Sequence, residues 1–186
     1  MATTINSGRA NSPKLTANIA DHGTIYGGRG LIFDGVTDYL SLADSISLSG
    51  QFTISMWVYL DDNTSINLLG DSSSSANFMW IDANSDIQLA SSDLSITFTD
   101  SNMTTSSWQN ILVTRDGSNV PKFYNNGALI QTLSADAGTF SFNQIGTYHT
   151  GSNFFNGKMS DVKVFDTALT EAQVQELYLK PEQSAP

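Results

Sequence analysis

Hydrophobic residues occupy every second position along several short stretches of the chain. In residues 52–60, one set of alternate positions is apolar: Phe52, Ile54, Met56, Val58 and Leu60. The other set combines small polar residues with two aromatic ones: Thr53, Ser55, Trp57 and Tyr59. A period of two places these sets on opposite faces of an extended chain. The pattern therefore predicts a β-strand with an aliphatic face and an aromatic, polar face.

Further short strands follow at similar spacing. They are predicted at residues 66–69, 78–81, 87–89, 94–98 and 108–114, with turn residues between them. The clearest hairpin has Lys122-Phe123-Tyr124 before the turn Asn125-Asn126-Gly127 and residues 128–133 after it. An Asn-Gly pair supplies the positive φ angles of a tight hairpin. Many short strands with frequent turns predict an all-β sandwich.

The helical signals are confined to the C-terminal part. Thr170 suits the N-cap, and Gln173 three residues later completes a capping box. Leu169 and Val174 stand at the two positions of a hydrophobic staple, and Lys180-Pro181 ends the helix.

The chain divides into one domain and two polar ends. Residues 1–25 show no sustained hydrophobic period and are predicted to form an N-terminal arm. Residues 26–180 are predicted to form the sandwich, and residues 181–186 form a C-terminal tail. We expect the arm to attach to neighbouring subunits.

Four segments, in order along the chain, carry a family resemblance. They are residues 30–35 with 38–40, residues 52–58, residues 108–127, and residues 155–174, in which Phe155-Asn156-Gly157 precedes Asp161-Val162-Lys163-Val164-Phe165-Asp166. Together they resemble the laminin-G-like domains of the concanavalin A-like lectin/glucanase superfamily. The resemblance implies a jelly-roll β-sandwich of two antiparallel sheets with one short C-terminal helix. It also extends to small proteins of this kind from tailed phages.

The charge of the chain narrows the classes of partner. Eight Lys and Arg residues against eighteen Asp and Glu residues give a net charge of −10. This balance disfavours nucleic acid as a partner and favours cations or basic proteins. The chain has no cysteine, so it has neither disulfides nor thiolate metal sites.

The sequence also bears on localisation. The first residues lack the apolar segment of a signal peptide, and no apolar run is long enough to span a bilayer. We therefore expect a protein made in the cytoplasm that reaches a virion surface or, otherwise, the cell exterior.

Catalysis is not expected. The glucanases of the resembled superfamily carry a pair of carboxylates on one strand, as retaining glycoside hydrolysis requires. Here the glutamates are Glu171, Glu176 and Glu182, all in the predicted helix or tail. The histidines, His22 and His149, lie in polar, loop-like segments. We therefore predict no enzymatic activity.

A structural calcium ion is one candidate cofactor. The resemblance implies that the first and last core strands lie side by side, which would bring Asp34 and Asp38 close to Asp161. Carboxylate oxygens are the ligands that calcium prefers. The alternative is that Asp34 begins a turn at Asp34-Gly35 and that Asp161 caps nearby backbone. Both interpretations remain open.

A second acidic segment imitates the start of an EF-hand loop. Residues 82–86 read Asp-Ala-Asn-Ser-Asp, but Ile87 replaces the required glycine and Leu94 replaces the bidentate glutamate. We therefore predict a turn between two strands.

Aromatic residues are the candidates for ligand binding, because carbohydrate sites combine exposed rings with amide and carboxylate hydrogen bonds. Trp57 and Tyr59 share the non-aliphatic strand face, and Tyr124 and Tyr148 are close to predicted loops. The alternative is packing in the interior, which we favour for the three tryptophans: Trp57, Trp80 and Trp108.

These observations lead to two hypotheses about function. In the first, the protein decorates a virion surface, as a capsid or fibre component, and contacts other virion subunits or copies of itself. In the second, it is a carbohydrate- or protein-binding module whose ligand lies on the concave face or the rim loops. The two hypotheses are compatible, since a virion surface protein can also contact glycans.

Overall fold

The protein is a two-layer β-sandwich with one helix. The structure, a computed structural model, describes residues 2–5, 23–25, 28–62, 65–99, 101–149 and 151–179, with side chains from residue 30 onward. Its elements are β1 Ala2–Ile5, β2 Gly23–Ile25, β3 Gly28–Asp34, β4 Leu40–Leu48, β5 Phe52–Leu60, β6 Ile66–Gly70, β7 Phe78–Ile81, β8 Ile87–Ala90, β9 Ser95–Phe98, β10 Trp108–Arg115, β11 Pro121–Asn125, β12 Ala128–Thr132, β13 Phe140–Ile145, β14 Asn156–Phe165 and α1 Glu171–Leu179.

The strands form two antiparallel sheets. One has eight strands in the order β12-β11-β10-β5-β14-β3-β2, and β1 pairs with β14 beyond the end of β3. The other has six strands in the order β4-β13-β6-β7-β8-β9. The predicted fold, two antiparallel sheets with one short C-terminal helix, is confirmed.

The main core lies between the sheets. It contains the aliphatic face of β5, with Phe52, Ile54, Met56, Val58 and Leu60 each at most 1% exposed. The opposite sheet contributes the inward positions of β7, β8, β9 and β13. Burial of this apolar surface supplies the main driving force for closing the two layers.

The hairpin of β11 and β12 turns as predicted. Asn126 has φ 50° and Gly127 has φ 77°, so both central residues adopt the left-handed region that the turn needs. A side chain at Gly127 would also approach the ring of Tyr178 on α1.

The capping box and the staple of α1 are also confirmed. The Thr170 amide donates to Oε1 of Gln173 at 2.9 Å, and the Gln173 amide donates to Oγ1 of Thr170 at 3.4 Å. Leu169 and Val174 are both buried in a second apolar cluster. These local contacts start the helix where it can pack onto the eight-stranded sheet.

The predicted arm has described residues at its two ends. Ala2–Ile5 forms a strand beside β14 of the same chain, and Gly23–Ile25 pairs with β3. Residues 6–22 and the predicted tail, residues 181–186, lie outside the described residues. The attachment of the arm to other subunits therefore stays a prediction.

Candidate functional site

The outer face of the six-stranded sheet carries a group of half-buried aromatic and amide side chains. In β7, Met79 and Ile81 point into the core, so Phe78 and Trp80 point outward. Across the ladder, Trp80 lies opposite Asn67 of β6, which is fully buried, and Gln88 of β8, which is half-buried. An outward row of side chains thus crosses the centre of this sheet.

The chain between β13 and β14 passes over this outer face. We call residues 147–149 the crossing segment. The segment crosses β6 at Gly70, where an added Cβ would lie 2.2 Å from the Tyr148 carbonyl oxygen and 2.4 Å from that of Thr147. Because no other residue lacks a Cβ, only glycine permits this close approach of two backbones.

The crossing segment completes a continuous group of rings. The centroid of Tyr148 lies 5.7 Å from that of Phe78, and Phe78 lies 5.5 Å from Trp80, both with edge-on geometry. The Tyr148 hydroxyl donates to the Ser75 carbonyl. We call Phe78, Trp80 and Tyr148 the ring patch. Its edge-to-face contacts are a favoured aromatic arrangement and hold the rings in place.

A chain of hydrogen bonds orients the polar groups beside the ring patch. The Trp80 indole Nε1 donates to Oε1 of Gln88 at 2.8 Å, and Nε2 of Gln88 donates to Oδ2 of Asp82 at 3.1 Å. These bonds use one of the two N–H groups of the Gln88 amide. The amide is therefore held in one orientation with donor and acceptor capacity remaining for a ligand.

Asp82 also forms the predicted turn between β7 and β8. Its Oδ1 accepts the amides of Asn84 at 2.8 Å and Asp86 at 3.1 Å. The interpretation of residues 82–86 as a turn is confirmed, and the same carboxylate anchors Gln88 through its second oxygen.

Asp71, a buried carboxylate, supports the crossing segment from below. Its Oδ1 accepts the amide and hydroxyl of Ser73, its Oδ2 accepts Nδ2 of Asn77, and its carbonyl lies 2.8 Å from Nδ1 of His149. Burial alone would raise the pKa of Asp71. The hydrogen bonds from Ser73 and Asn77 and the charge of His149 outweigh it, so the pKa lies below its ordinary value.

Two of the predicted ligand residues lie on the other sheet, beneath α1. Trp57 is 2% exposed and stacks on Tyr178 at 5.6 Å. Tyr124 is 3% exposed within the second apolar cluster, and burial, followed by the charge of Glu171, raises its pKa. The interior alternative therefore holds for Trp57, and the helix separates both rings from solvent.

Tyr59, the remaining predicted ring, lies beyond the part of the sheet that α1 covers. It is half-buried, contacts Trp108 at 5.6 Å between centroids, and has Nζ of Lys158 4.4 Å above its ring. The four predicted rings are thus divided between the two outer faces, and only Tyr148 reaches the ring patch.

The three carboxylates predicted to bind calcium do not come together. The strands β3 and β14 are neighbours, as expected, but the register sets Asp34 opposite Asn156. Asp161 lies five residues further along β14 than Asn156, about 16 Å away at the rise of a strand. Among the described residues, no three His, Asp or Glu side chains form a group that could hold a metal ion.

Local hydrogen bonds account for each of these carboxylates. Oδ1 of Asp34 accepts the amides of Val36, Thr37 and Asp38 at 2.8, 2.7 and 3.0 Å, which holds the pKa of Asp34 well below its usual range. Asp161 has φ 54° at a bulge and pairs with Lys163 at 2.6 Å. The turn interpretation of Asp34 fits this geometry, and calcium binding stays a prediction.

The sequence profile of a laminin G family in the concanavalin A-like lectin/glucanases superfamily matches residues 34–175. The matched segment contains the ring patch and most of both sheets. The chain belongs to this family. No curated protein sequence matches this laminin-G-like chain.

Solved structures share the laminin-G-like fold at low sequence identity. Domain 4 of AbnA, an extracellular arabinanase from Geobacillus stearothermophilus in complex with arabinotriose, has a TM-score of 0.58 at 19% identity, over 95% of this chain and 87% of that one. A heptameric SAP-like pentraxin from Limulus polyphemus has a TM-score of 0.57 at 18% identity, over 79% and 80%. The sialidase CBM40 of Ruminococcus gnavus, bound to α2,3 sialyllactose, has a TM-score of 0.56 at 16% identity, over 76% and 96%. These likenesses establish the fold.

Sequence reasoning missed Phe78, Trp80 and Gln88 as site residues of this laminin-G-like domain. Residues 78–81 are all apolar, so alternation alone does not show which pair points outward. The Asp82 turn was a usable signal, because it fixes Ile81 and Ile87 as a facing pair and so sets the face of Trp80 and Gln88.

Proposed function

We propose that this laminin-G-like domain is a carbohydrate-binding module that holds its ligand on the ring patch. The observation that carries the proposal is the Trp80–Gln88–Asp82 hydrogen-bond chain beside three contiguous rings. Sugar rings present C–H faces to aromatic rings and hydroxyl groups to amides and carboxylates. The patch supplies both kinds of contact on rigid strands.

The charges around the patch favour a neutral glycan. Asp71 and Asp82 contribute carboxylates, and none of the lysine or arginine side chains that the structure describes lies on this face. Carboxylates accept hydrogen bonds from sugar hydroxyls but repel acidic sugars.

Binding without hydrolysis is the second part of the proposal. A glycosidase needs a carboxylic acid that is protonated at working pH, which requires a raised pKa. The pKa of Asp71 is lowered instead, which does not suit a proton donor. Glu171 and Glu176 lie on α1, on the other side of the sandwich.

Calorimetric titration with neutral oligosaccharides, including arabinotriose, tests the proposal. Loss of one stacked ring costs about 1–3 kcal/mol, so we expect Trp80→Ala to weaken binding roughly tenfold or more. Gln88→Ala should weaken it less. Tyr39→Ala is the control, because Tyr39 is an exposed ring, 45% accessible, that lies outside the ring patch. Equal losses for Trp80→Ala and Tyr39→Ala, or no binding across the whole panel, would overturn the proposal.

The virion-surface role and the calcium requirement stay predictions with separate tests. Immunogold labelling of purified particles tests the first, and labelling of free protein but not of particles would count against it.

A rise in the melting temperature with added calcium, retained in Asp161→Asn and lost in Asp34→Asn, would support a calcium site at the Asp34 turn. Within the described residues, α1 has nine residues, and no helix there meets the length and hydropathy that a membrane span requires.

A further inference from the structure

The lysines of the described chain are confined to one face of the sandwich. Lys122, Lys158 and Lys163 pair through their strands with Thr114, Tyr59 and Ser55, all on the outward side of the eight-stranded sheet. The described arginine side chain, Arg115, is fully buried and donates to main-chain carbonyls. Among the described residues, lysine side chains therefore occur on the outer face of the eight-stranded sheet, together with Glu171 and Glu176 of α1, and none lies on the other outer face.

One of these lysines lies in an exposed aromatic row. Cross-strand pairing places Trp108, Tyr59, Lys158 and Ile32 side by side on β10, β5, β14 and β3. The row spans about 14 Å at the usual spacing between strands, which is room for a short oligosaccharide. Ile32 is 41% exposed and the other three are half-buried, so α1 does not cover the row.

Lys158 differs from Lys163 on this face. Lys163 is 3% exposed and is held by Asp161, whereas Nζ of Lys158 lies over the ring of Tyr59. Among the described residues, Lys158 forms no ion pair, so its charge is available to a ligand beside Trp108.

We propose that this row is a second binding site and that its ligand is a carboxylate-bearing sugar. The C–H face of the sugar stacks on Trp108, and its carboxylate accepts a charge-assisted hydrogen bond from Lys158. Polyanions such as nucleic acids are disfavoured, because the net charge of −10 repels them as a whole. A sugar with one carboxylate needs only the local positive charge of Lys158.

A matched pair of ligands tests this site: a trisaccharide with one terminal glucuronate, and the same trisaccharide with that carboxyl group reduced. The intact protein should bind the acidic form about five- to tenfold more tightly at low salt. Lys158→Gln should abolish this difference, and added salt should reduce it. Lys122→Gln is the control, since it removes a lysine from the same face but outside the row.

Each alternative result has a defined meaning. Equal affinity for the two forms, equal effects of Lys158→Gln and Lys122→Gln, or full competition by a Glu-rich peptide would overturn the proposal. Trp80→Ala should leave the acidic preference intact, and its loss in that variant would place the ligand on the ring patch instead. If neutral glycans do not bind the ring patch, the difference in affinity between the acidic and the reduced trisaccharide can still be measured. The two proposals can therefore fail independently.

Discussion

The two outer faces of the sandwich are built from similar strands, but different segments of the chain cover them. On the eight-stranded sheet, α1 covers part of the outward side and buries a second apolar cluster: Leu112, Tyr124, Phe165, Leu169, Val174 and Leu177. On the six-stranded sheet, a short stretch of backbone crosses at Gly70 and leaves the neighbouring rings half-buried. An outward aromatic residue beneath α1, such as Trp57, is therefore part of a core, whereas Trp80 beside the crossing segment stays half-buried.

Helix α1 is attached to the eight-stranded sheet by the segment that precedes it as well as by its apolar face. Thr53 on β5 donates through Oγ1 to the Thr167 carbonyl at 2.8 Å, and the same oxygen accepts the Leu169 amide at 2.9 Å. This pair of bonds ties the segment before α1 to the sheet. The helix therefore acts as part of the domain's core and not as an appendage.

The largest expected effect concerns this helical cover. Leu177 is 4% exposed and Leu179 is 72% exposed. The same Leu→Ala change at both positions has a similar effect on helix propensity, so the difference between the two variants reports the contribution of burial. Leu177→Ala should lower the free energy of unfolding by about 2–5 kcal/mol, through lost burial and the cavity left behind. Leu179→Ala should change it by less than about 0.5 kcal/mol. Urea denaturation measures both, and similar values for the two variants would contradict a helix that forms part of the core.

A smaller loss of stability is expected where the crossing segment passes the six-stranded sheet. Gly70→Ala would force the Thr147 and Tyr148 carbonyls away from β6, which should cost about 1–3 kcal/mol and move Tyr148 off Phe78. Gly117→Ala is the control, because nothing lies within 4 Å of an added Cβ there. If Gly70→Ala is as stable as Gly117→Ala and binds glycan normally, the crossing segment does not shape the ring patch.

The third expected effect on stability depends on pH and concerns Asp71, which contacts the crossing segment. Because the folded-state pKa of Asp71 is lowered, its stabilisation is complete above its ordinary pKa of 3.8 and is lost as the pH falls below that value. Asp71→Asn should therefore cost about 1–2 kcal/mol at neutral pH. The difference in stability between the unsubstituted protein and Asp71→Asn should disappear in acid. Melting temperatures of both proteins, measured from neutral pH to below pH 3.8, test this expectation. A difference in melting temperature that stays constant with pH would exclude the ionised carboxylate as its source.

Much of the fold could be predicted because its signals are local. The alternation in residues 52–60, the Asn126-Gly127 turn and the Thr170 capping box each depend on neighbours in sequence, and each appears where expected. Such agreement between local preference and global fold is typical of sequences that specify one structure.

The site could not be predicted in the same way, because it depends on contacts between distant segments. Trp57 is buried by Tyr178, which follows 121 positions later in the sequence. The accessible ring patch likewise requires Tyr148 to cross Gly70. The register of β3 and β14 also separates Asp34 from Asp161, since neighbouring strands do not imply neighbouring carboxylates.

If the two faces bind different ligands, the three tryptophans report on this difference directly. Trp80 lies in the ring patch, Trp108 lies in the row that contains Lys158, and Trp57 is buried and serves as an internal reference. In a ¹⁵N–¹H correlation spectrum, the neutral oligosaccharide should shift the Trp80 indole signal, the acidic one should shift that of Trp108, and Trp57 should remain unchanged. If both ligands shift the same indole signal, or shift none, the account of two distinct faces is wrong.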